Sequence, residues 1–387
     1  MRAVLHFPRE INHKGLFLFG FIFYLVCPLI ILQTDLFDGL PGIDGWKENV
    51  LDHAHVIRYL LLLAWIIVPF YMGSHIGSKY VNIRYSKVRT LGPLSGKFVL
   101  AFMVIFVVYF FYKARGSAFQ GHALDNDDDN NLEGIMATTN LLLFYIHFVI
   151  DQPKSTKRGF LFLLIFNSLF LLGLGGRMYV IIPLVAYFAR GYNRAAQSGK
   201  PVWPYFLVPA IVAVTASIIG ALRVGDSLDK IGFFIFAEPI FTSWSAFSYL
   251  NHNAIPLAAV PLNFLVGFLN IIPSLLWPAK GDVLNGMVTG WITWDSPMGA
   301  LSVFVSIYAN FGVIFGGVFM FFVGAFFGQL YKAFKTGNIN RNVYYCFCAV
   351  LAFCFFRDPF SLPIKIYILS FFLIPFGIQL VKKSLEK

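Results

Sequence analysis

The stretch GLFLFGFIFYLVCPLIIL, residues 15–32, contains no charged side chain and follows the basic residues Arg2, Arg9 and Lys14. A helix that crosses a bilayer needs about 20 mostly apolar residues, and this run is close to that length. It is too long for the apolar core of a typical signal peptide, and it lacks a small-x-small cleavage site. We therefore expect residues 15–32 to form a retained first membrane span.

Further apolar runs follow along the chain. They are residues 59–73, 98–112, 135–150, 160–172, 178–189, 201–221, 301–330, 343–356 and 364–381. Hydrophobic residues make up 58% of the chain and charged residues 13%, against roughly 25% charged in a soluble domain. The sequence thus predicts an all-α polytopic integral membrane protein with ten transmembrane helices. Helices 1–7 fall in residues 1–221, one large extracytoplasmic loop in 222–300, and helices 8–10 in 301–387.

The distribution of charge predicts the orientation. If the N-terminus is cytoplasmic, most of the 30 Lys and Arg residues fall on the cytoplasmic side. Only Glu10, Asp151 and Glu386 of the 19 acidic residues join them there. This asymmetry is the positive-inside pattern, so both termini are expected in the cytoplasm. The net charge of +11 then reflects orientation and anionic lipid, and does not indicate a nucleic-acid partner.

The large loop leaves the number of spans open. Residues 231–250 and 255–276 are apolar enough to be two more spans, which would give twelve and leave every other segment on the same side. Four prolines, Pro256, Pro261, Pro273 and Pro278, favour short interfacial or re-entrant helices instead, because proline is costly inside a helix.

Two hairpins in this reading are too short to cross a bilayer. The runs 160–172 and 178–189 flank Arg177, and the run 343–356 ends just before Arg357. Thirteen residues span about 20 Å, against about 30 Å of hydrocarbon, so both arginines should lie below the membrane surface. Buried charges of this kind predict a hydrated functional cavity. The alternative is structural: Arg177 reaches outward from its turn, and Arg357 pairs with Asp358.

An arginine-lined cavity suits a phosphate ligand. Arginine is a fixed cation that binds phosphate oxygens through two N–H groups, so Arg177, Arg223 and Arg357 are predicted to hold a lipid-linked pyrophosphate. A sugar hydroxyl that attacks this donor needs a base, and Asp226, Glu238 and His252 are the candidates. The alternative for the two acids is a salt bridge, and for His252 an exposed loop position.

We expect no metal, no cofactor and no disulfide. The acidic residues in the run ALDNDDDN, residues 123–130, raise the possibility of a divalent cation. The run lacks the glycine and the closing glutamate of a calcium loop, so a solvated loop is the favoured interpretation. All four cysteines fall inside apolar runs, where a thiol behaves as a small hydrophobic group.

Four stretches resemble the Wzy-type polymerases of O-antigen and related repeat units. They are GLGGRMYVIIPL (173–184), ALRVGDS (221–227), NIIPSLLWPAKG (270–281) and SPMGALSVFVSIYANFGVIFGG (296–317). The resemblance implies that Arg177 and Arg223 are the functional arginines. Lys280, Tyr308 and Asn310, which lie in the last two stretches, join them as predicted substrate-binding residues. At Ser274 the family would lead us to expect an arginine. Near Ala309 it would lead us to expect an acidic residue.

The resemblance also implies an activity and a location. The expected reaction is metal-independent glycosyl transfer on the outer face of a bacterial inner membrane, with undecaprenyl-pyrophosphate-linked oligosaccharide as substrate. Membrane lipids are expected partners, and a chain-length regulator protein is a further candidate partner. Three alternatives stay open: a flippase or transporter of the same lipid-linked sugar, an O-antigen ligase-like glycosyltransferase, and a metal-dependent membrane glycosyltransferase.

Overall fold

A computed structural model describes residues 10–34, 43, 46–47, 53–80, 92–114, 127–174, 176–224, 231–272, 276–280, 282–284, 294, 300–358, 360–377 and 380. All regular secondary structure in these residues is helical. The helices are α1 (His13–Leu32), α2 (His53–Tyr80), α3 (Pro93–Ala114), α4 (Asp127–Val149), α5 (Lys154–Leu174), α6 (Arg177–Gln197), α7 (Pro204–Val224), α8 (Ile231–His252), α9 (Leu262–Leu269), α10 (Val303–Lys335), α11 (Arg341–Val350), α12 (Cys354–Arg357) and α13 (Ser361–Gly377).

Five of these helices are long and apolar enough to cross a membrane. They are α1, α2, α3, α5 and α10, the last four within the bounds His55–Tyr80, Leu94–Lys113, Lys154–Leu174 and Val303–Lys335. The predicted first span agrees with α1, which begins where the Asn12 side chain accepts hydrogen bonds from two backbone N–H groups of its first turn. The prediction of an α-helical membrane protein is confirmed at this level.

The closest helix pair in the bundle is α2 and α10. Their residue numbers rise together, from the ring contact of Tyr59 with Phe304 to the hydrogen bond from Lys332 Nζ to the Lys79 carbonyl, so the two helices are parallel. The motifs GSHIG (73–77) and GAFFG (324–328) face each other, and at all four glycines an added Cβ would strike backbone of the other helix. Glycine therefore sets how closely these helices approach.

Helix α1 runs antiparallel to this pair. His13, at its start, bonds through Nε2 to Ser74 Oγ over 2.6 Å and stacks on Phe327, both near the ends of α2 and α10. Tyr59, near the start of α2, donates its hydroxyl to the Leu25 carbonyl in the second half of α1. We call the end where α1 begins the basal end, and the opposite end the distal end.

Polar contacts fasten the basal end. Asn193 of α6 bonds to the backbone N–H and C=O of Ile11 and to the hydroxyl of Tyr345, each over 2.7 Å. Glu10 pairs with Lys335 over 2.8 Å. These bonds join the start of the described chain to α6, α10 and α11.

Several helix bounds differ from the apolar runs. Helices α5 and α6 have 21 residues each, or about 31 Å, so the first predicted hairpin is not short. The reason is that the polar segments KSTKR (154–158) and RGYNRAAQ (190–197) are helical too. Helix α4 likewise begins at Asp127, so part of the acidic run is helical.

The large loop is partly a long helix. Residues 231–252 form the single helix α8, although Pro239 lies inside it, so the expectation of a short helix is wrong there. The next segment is short as expected: residues 253–261 are not helical and α9 has eight residues. Helix α8 packs on the second half of α1 and near the starts of α2 and α10, through contacts such as Phe23 with Phe236 and Tyr59 with Phe247.

Candidate functional site

Three breaks in regular helix meet near the middle of the bundle. The first lies in α10 at Gly312, whose φ of 69° and ψ of −170° interrupt the helix. The second is the extended segment 253–261, which lies against that break. The third is the turn 351–360 between α11 and α13. Interrupted helices inside a bundle are typical of membrane proteins that bind a ligand at depth.

The Gly312 break is closed by the extended segment. Val313 and Ile314 donate backbone hydrogen bonds to the carbonyls of Pro256 and Leu257, over 3.0 and 2.9 Å, and Ala259 donates to Phe311 over 3.2 Å. These bonds satisfy the backbone N–H and C=O groups that the interrupted helix leaves without a partner. Such groups must find a protein partner inside a bundle because water is absent there.

The turn 351–360 is the tip of a hairpin. Helices α11 and α13 run antiparallel, as the stacked rings of Phe347 and Tyr367 indicate, and Tyr344 fixes the start of α11 to His13 at the basal end. At the tip, Phe356 packs on Phe17 and Tyr24, so the tip reaches the middle of α1. The predicted short helix before Arg357 is confirmed, since α11 has ten residues. The depth of Arg357 in a membrane stays a prediction.

Arg357 forms the centre of a charged network. Its Nε donates to Glu238 Oε2 over 2.6 Å, and its Nη1 donates to Asp358 Oδ1 over 2.6 Å. One guanidinium thus faces two carboxylates, so the network carries a formal charge of −1. The structural alternative for Arg357, a pair with Asp358, is therefore present, and Glu238 is a second partner.

The network is open on one side. The side chains of Glu238 and Arg357 are 35% and 25% exposed, whereas that of Asp358 is 4% exposed and its Oδ2 has no hydrogen-bond partner in the described structure. A guanidinium has five N–H donors, so Arg357 keeps donors beyond the two it uses. Glu238 keeps Oε1 as an acceptor. Together they offer a ligand both a cation and a carboxylate.

Tyr179 connects this network to Arg177. Its hydroxyl lies in the electrostatic field of Asp358 and Glu133. Glu133 Oε1 in turn lies beside Gly176, at 3.2 Å from the position of an added Cβ, next to the half-buried Arg177. The first turn of α6 and the tip of the α11–α13 hairpin therefore border the same region.

An asparagine pair holds α6 in that position. Pro183 has no N–H to give to the Tyr179 carbonyl four residues earlier, and Asn140 Nδ2 donates to it instead over 3.0 Å. Asn167 Nδ2 donates to Asn140 Oδ1 over 3.0 Å, so α4, α5 and α6 share one buried polar cluster.

Lys280 is a buried cation near α9. It is 7% exposed, and its Nζ donates to the carbonyls of Ile272 over 2.9 Å and Asn270 over 3.3 Å. Burial lowers the pKa of its ammonium group. Lys365, in the first turns of α13, lies close enough for the two like charges to repel each other.

The predicted bases do not share one location. His252 lies at the end of α8, fourteen residues after Glu238, which is about 21 Å along the helix. Its Nδ1 lies 2.8 Å from the Ser248 carbonyl, to which only an N–H can donate. One reacting centre cannot use both residues, and Glu238 is the one beside Arg357. The side chain of Arg223 and the whole of Asp226 lie outside the described residues.

Tyr308 and Asn310 are buried and have protein partners. The Tyr308 hydroxyl donates to the Leu62 carbonyl over 2.6 Å, and Asn310 Oδ1 accepts from the Phe264 N–H over 2.9 Å. These bonds hold α10 against α2 and against the start of α9. The two residues shape the surroundings of the helix break, and their contact with substrate stays a prediction.

Three polar groups of the site were missing from the predicted set. Lys365 is a single charge within an apolar run, and that isolation was a signal for it. Asp358 was considered only as the structural partner of Arg357. Glu133 follows the acidic run and could not be told from it by composition. Among the described residues, no group of three His, Cys, Asp or Glu side chains is placed to hold a metal ion.

Comparisons of the chain with family models, curated proteins and solved structures found no match. The resemblance to Wzy-type polymerases therefore depends on the quoted stretches alone.

Proposed function

We propose that the chain is a membrane glycosyltransferase that polymerises undecaprenyl-pyrophosphate-linked oligosaccharide repeat units without a metal. The observation that carries the proposal is the partly exposed Arg357–Glu238 pair at the meeting point of the broken helices. A cation beside a carboxylate, within a helix bundle, is what a transfer from a pyrophosphate donor to a sugar hydroxyl needs.

In this proposal the reaction is a displacement at the anomeric carbon of the growing chain. The hydroxyl oxygen of the acceptor sugar forms the new bond to that carbon, and the bond from the carbon to the pyrophosphate oxygen breaks. Glu238 takes the hydroxyl proton through its free Oε1. Arg177, Arg223 and the unused donors of Arg357 offset the charge that grows on the departing pyrophosphate, an effect worth about 3 to 4 kcal/mol of barrier for one well-placed donor.

The topology that we propose has ten spans and both termini in the cytoplasm of a bacterial inner membrane. Basic side chains gather at the basal end, among them Lys335 beside Glu10, Arg341 beside Phe334 and Arg190 beside Phe148. This gathering supports a cytoplasmic basal end under the positive-inside rule. We then expect the site to open toward the distal, outer side.

The proposal is tested with purified protein in vesicles that contain one lipid-linked repeat unit. We expect a ladder of longer products that survives EDTA. Arg177→Ala and Glu238→Gln should each lower the rate about a hundredfold or more. Arg194→Ala, on the exposed basal end of the same helix as Arg177, is the matched control and should leave the ladder unchanged.

Two results would oppose the proposal. A ladder of normal length in both variants would remove Arg177 and Glu238 from the site. Activity that is lost in EDTA and restored by Mg²⁺ or Mn²⁺ would favour the metal-dependent glycosyltransferase.

A transporter of the same lipid-linked sugar is the second candidate. The converging helix breaks and the charged network at depth favour it, because transporters place their sites at such breaks. Cells that lack the chain distinguish the two: a surface glycan one unit long indicates a polymerase, and no surface glycan indicates export or ligation.

A further inference from the structure

We propose that Lys280 and Lys365 form a binding site for the pyrophosphate group of a polyprenyl lipid, with the exposed side of α9 along its hydrocarbon chain. The inference rests on the proposed polymerase function and deepens it, because it adds a pair of lysines to the arginines that hold the lipid-linked substrate.

The first observation is the fixed position of Lys280. Two backbone carbonyls hold its ammonium group, and an ammonium has three N–H donors, so one donor is left. The side chain is buried and therefore cannot swing out to bulk water. A lysine held in this way presents a defined positive charge at one point.

The second observation is the position of Lys365. Helix α13 packs against α9 at Gly267, where an added Cβ would lie 3.0 Å from Ser361 Cα. The first turns of α13, which carry Lys365, therefore lie near the end of α9, where the Asn270 carbonyl holds Lys280. Neither lysine forms a salt bridge with a described carboxylate, in contrast to Lys335 at the basal end.

Two adjacent ammonium groups that have no counter-ion among the described residues are unfavourable in an apolar setting. An anion between them would remove the repulsion and use their unfilled donors. Pyrophosphate fits best among the anions available to a membrane protein, since it carries several oxygens that can accept from both lysines.

The third observation is the apolar surface beside the pair. Leu262 and Leu265 of α9 are 65% and 52% exposed, and Ile272 and Leu276, which follow α9, are 37% and 75% exposed. Helix α9 has eight residues, about 12 Å, and cannot itself cross a bilayer. An apolar surface next to two lysines matches a ligand with a charged head and a hydrocarbon tail.

The lysine pair is connected to the charged network along the chain. Lys365 lies in the first turns of α13, after the turn that carries Arg357, and Phe360 between them packs on Phe264 of α9 with ring centroids 5.8 Å apart. The turn and the lysine pair therefore both border α9.

The experiment measures binding of farnesyl pyrophosphate to the full-length protein in nanodiscs of phosphatidylcholine. Lys280→Gln keeps N–H donors for the two carbonyls but loses the charge, and Lys365→Gln loses the charge of the second site. Each variant should weaken the affinity about tenfold or more, as expected for a lost hydrogen bond to a charged group. Lys365→Arg should retain most of the affinity, and Lys200→Gln, an exposed basal control, should not change it.

Equal affinities in the wild type and in both glutamine variants would overturn the inference. Equally strong competition by phosphatidylglycerol would overturn the assignment to a polyprenyl substrate, since it would indicate an ordinary phospholipid site. The proposed polymerase activity is a separate readout. If the glutamine variants lose binding but the wild type makes no ladder, the polymerase alone is rejected. If the wild type makes a normal ladder but the glutamine variants bind as it does, the lysine site alone is rejected.

Discussion

Replacing Gly312 with alanine tests whether the break in α10 is built into the fold. The φ of 69° with ψ of −170° belongs to a region that is almost exclusive to glycine, and another residue there costs about 1–3 kcal/mol. The added Cβ would also lie 2.6 Å from the Pro256 carbonyl oxygen. The extended segment would have to move away from α10.

That movement has its own cost. Three backbone hydrogen bonds join the extended segment to residues 311–314, and each contributes about 0.5–1.5 kcal/mol net. We therefore expect Gly312→Ala to lower stability by at least about 3 kcal/mol. Gly337→Ala is the matched control, because Gly337 has a φ of 75° but nothing within 4 Å of an added Cβ. It should cost only about 1–2 kcal/mol.

The assay can use the protein's own thiols. Cys346, Cys348 and Cys354 are buried and free, so a fluorescent thiol probe reports their exposure when the purified protein unfolds. The apparent melting midpoint, taken at one scan rate because such unfolding is often irreversible, should fall by several degrees more in Gly312→Ala than in Gly337→Ala. If the two variants melt together, the contact between the extended segment and the break does not hold the fold.

Two further substitutions test the bundle. Gly324→Ala should lower the melting midpoint by several degrees, because its Cβ would strike backbone of α2. Gly15→Ala, which has open space around it, is the control and should not change the midpoint. Equal midpoints in the two variants would contradict the close packing of α2 on α10. Asn193→Ala removes three hydrogen bonds that join α6 to the start of the chain and to α11, and should cost about 1.5–4.5 kcal/mol in chemical unfolding. Gln197→Ala, exposed on the same helix, is its control, and a similar loss in both would exclude the basal contacts as the cause.

The short helix before Arg357 could be predicted from the length of the apolar run, whereas the depth of Arg357 in a membrane stays a prediction. A run that is too short to cross the bilayer must end inside it, and the charge that follows it is then carried inward. The same reasoning failed for the length of α5 and α6, since their polar ends are helical and an apolar run cannot detect them. The length of an apolar run thus predicts the position of a turn better than it predicts where a helix begins and ends.

The pairing of the site could not be predicted. Arg357 and Glu238 are 119 residues apart in sequence. Other arginines and other acidic residues of the chain carry the same charges, so charge alone does not select this pair. The prediction also treated Glu238 and His252 as alternatives within one loop. Because residues 231–252 form a single helix, the two lie at opposite parts of it, and only the structure separates them.

The Gly312 break was hidden for a different reason. Glycines are common in membrane helices, so a glycine inside VSIYANFGVIFGG, residues 305–317, does not by itself indicate an interruption. The break depends on a partner: without the carbonyls of Pro256 and Leu257, the freed N–H groups of Val313 and Ile314 would have no acceptor. Such an interruption depends on two segments that are distant in sequence, so no local sequence pattern predicts it.

The two kinds of break have different consequences for the site. The backbone groups at the α10 break bond to the backbone of the extended segment. The break exposes no charge, so it affects only the shape of the site. The hairpin tip at residues 351–360 is satisfied largely within itself, by bonds such as Asp358 N–H to the Cys354 carbonyl, and it contributes the charges Arg357 and Asp358. The rigid break therefore fixes α9 through Asn310 and Phe264, and the charged tip supplies the groups that meet a ligand. If this division holds, Gly312→Ala should weaken ligand binding through α9 while the Arg357–Glu238 pair stays formed.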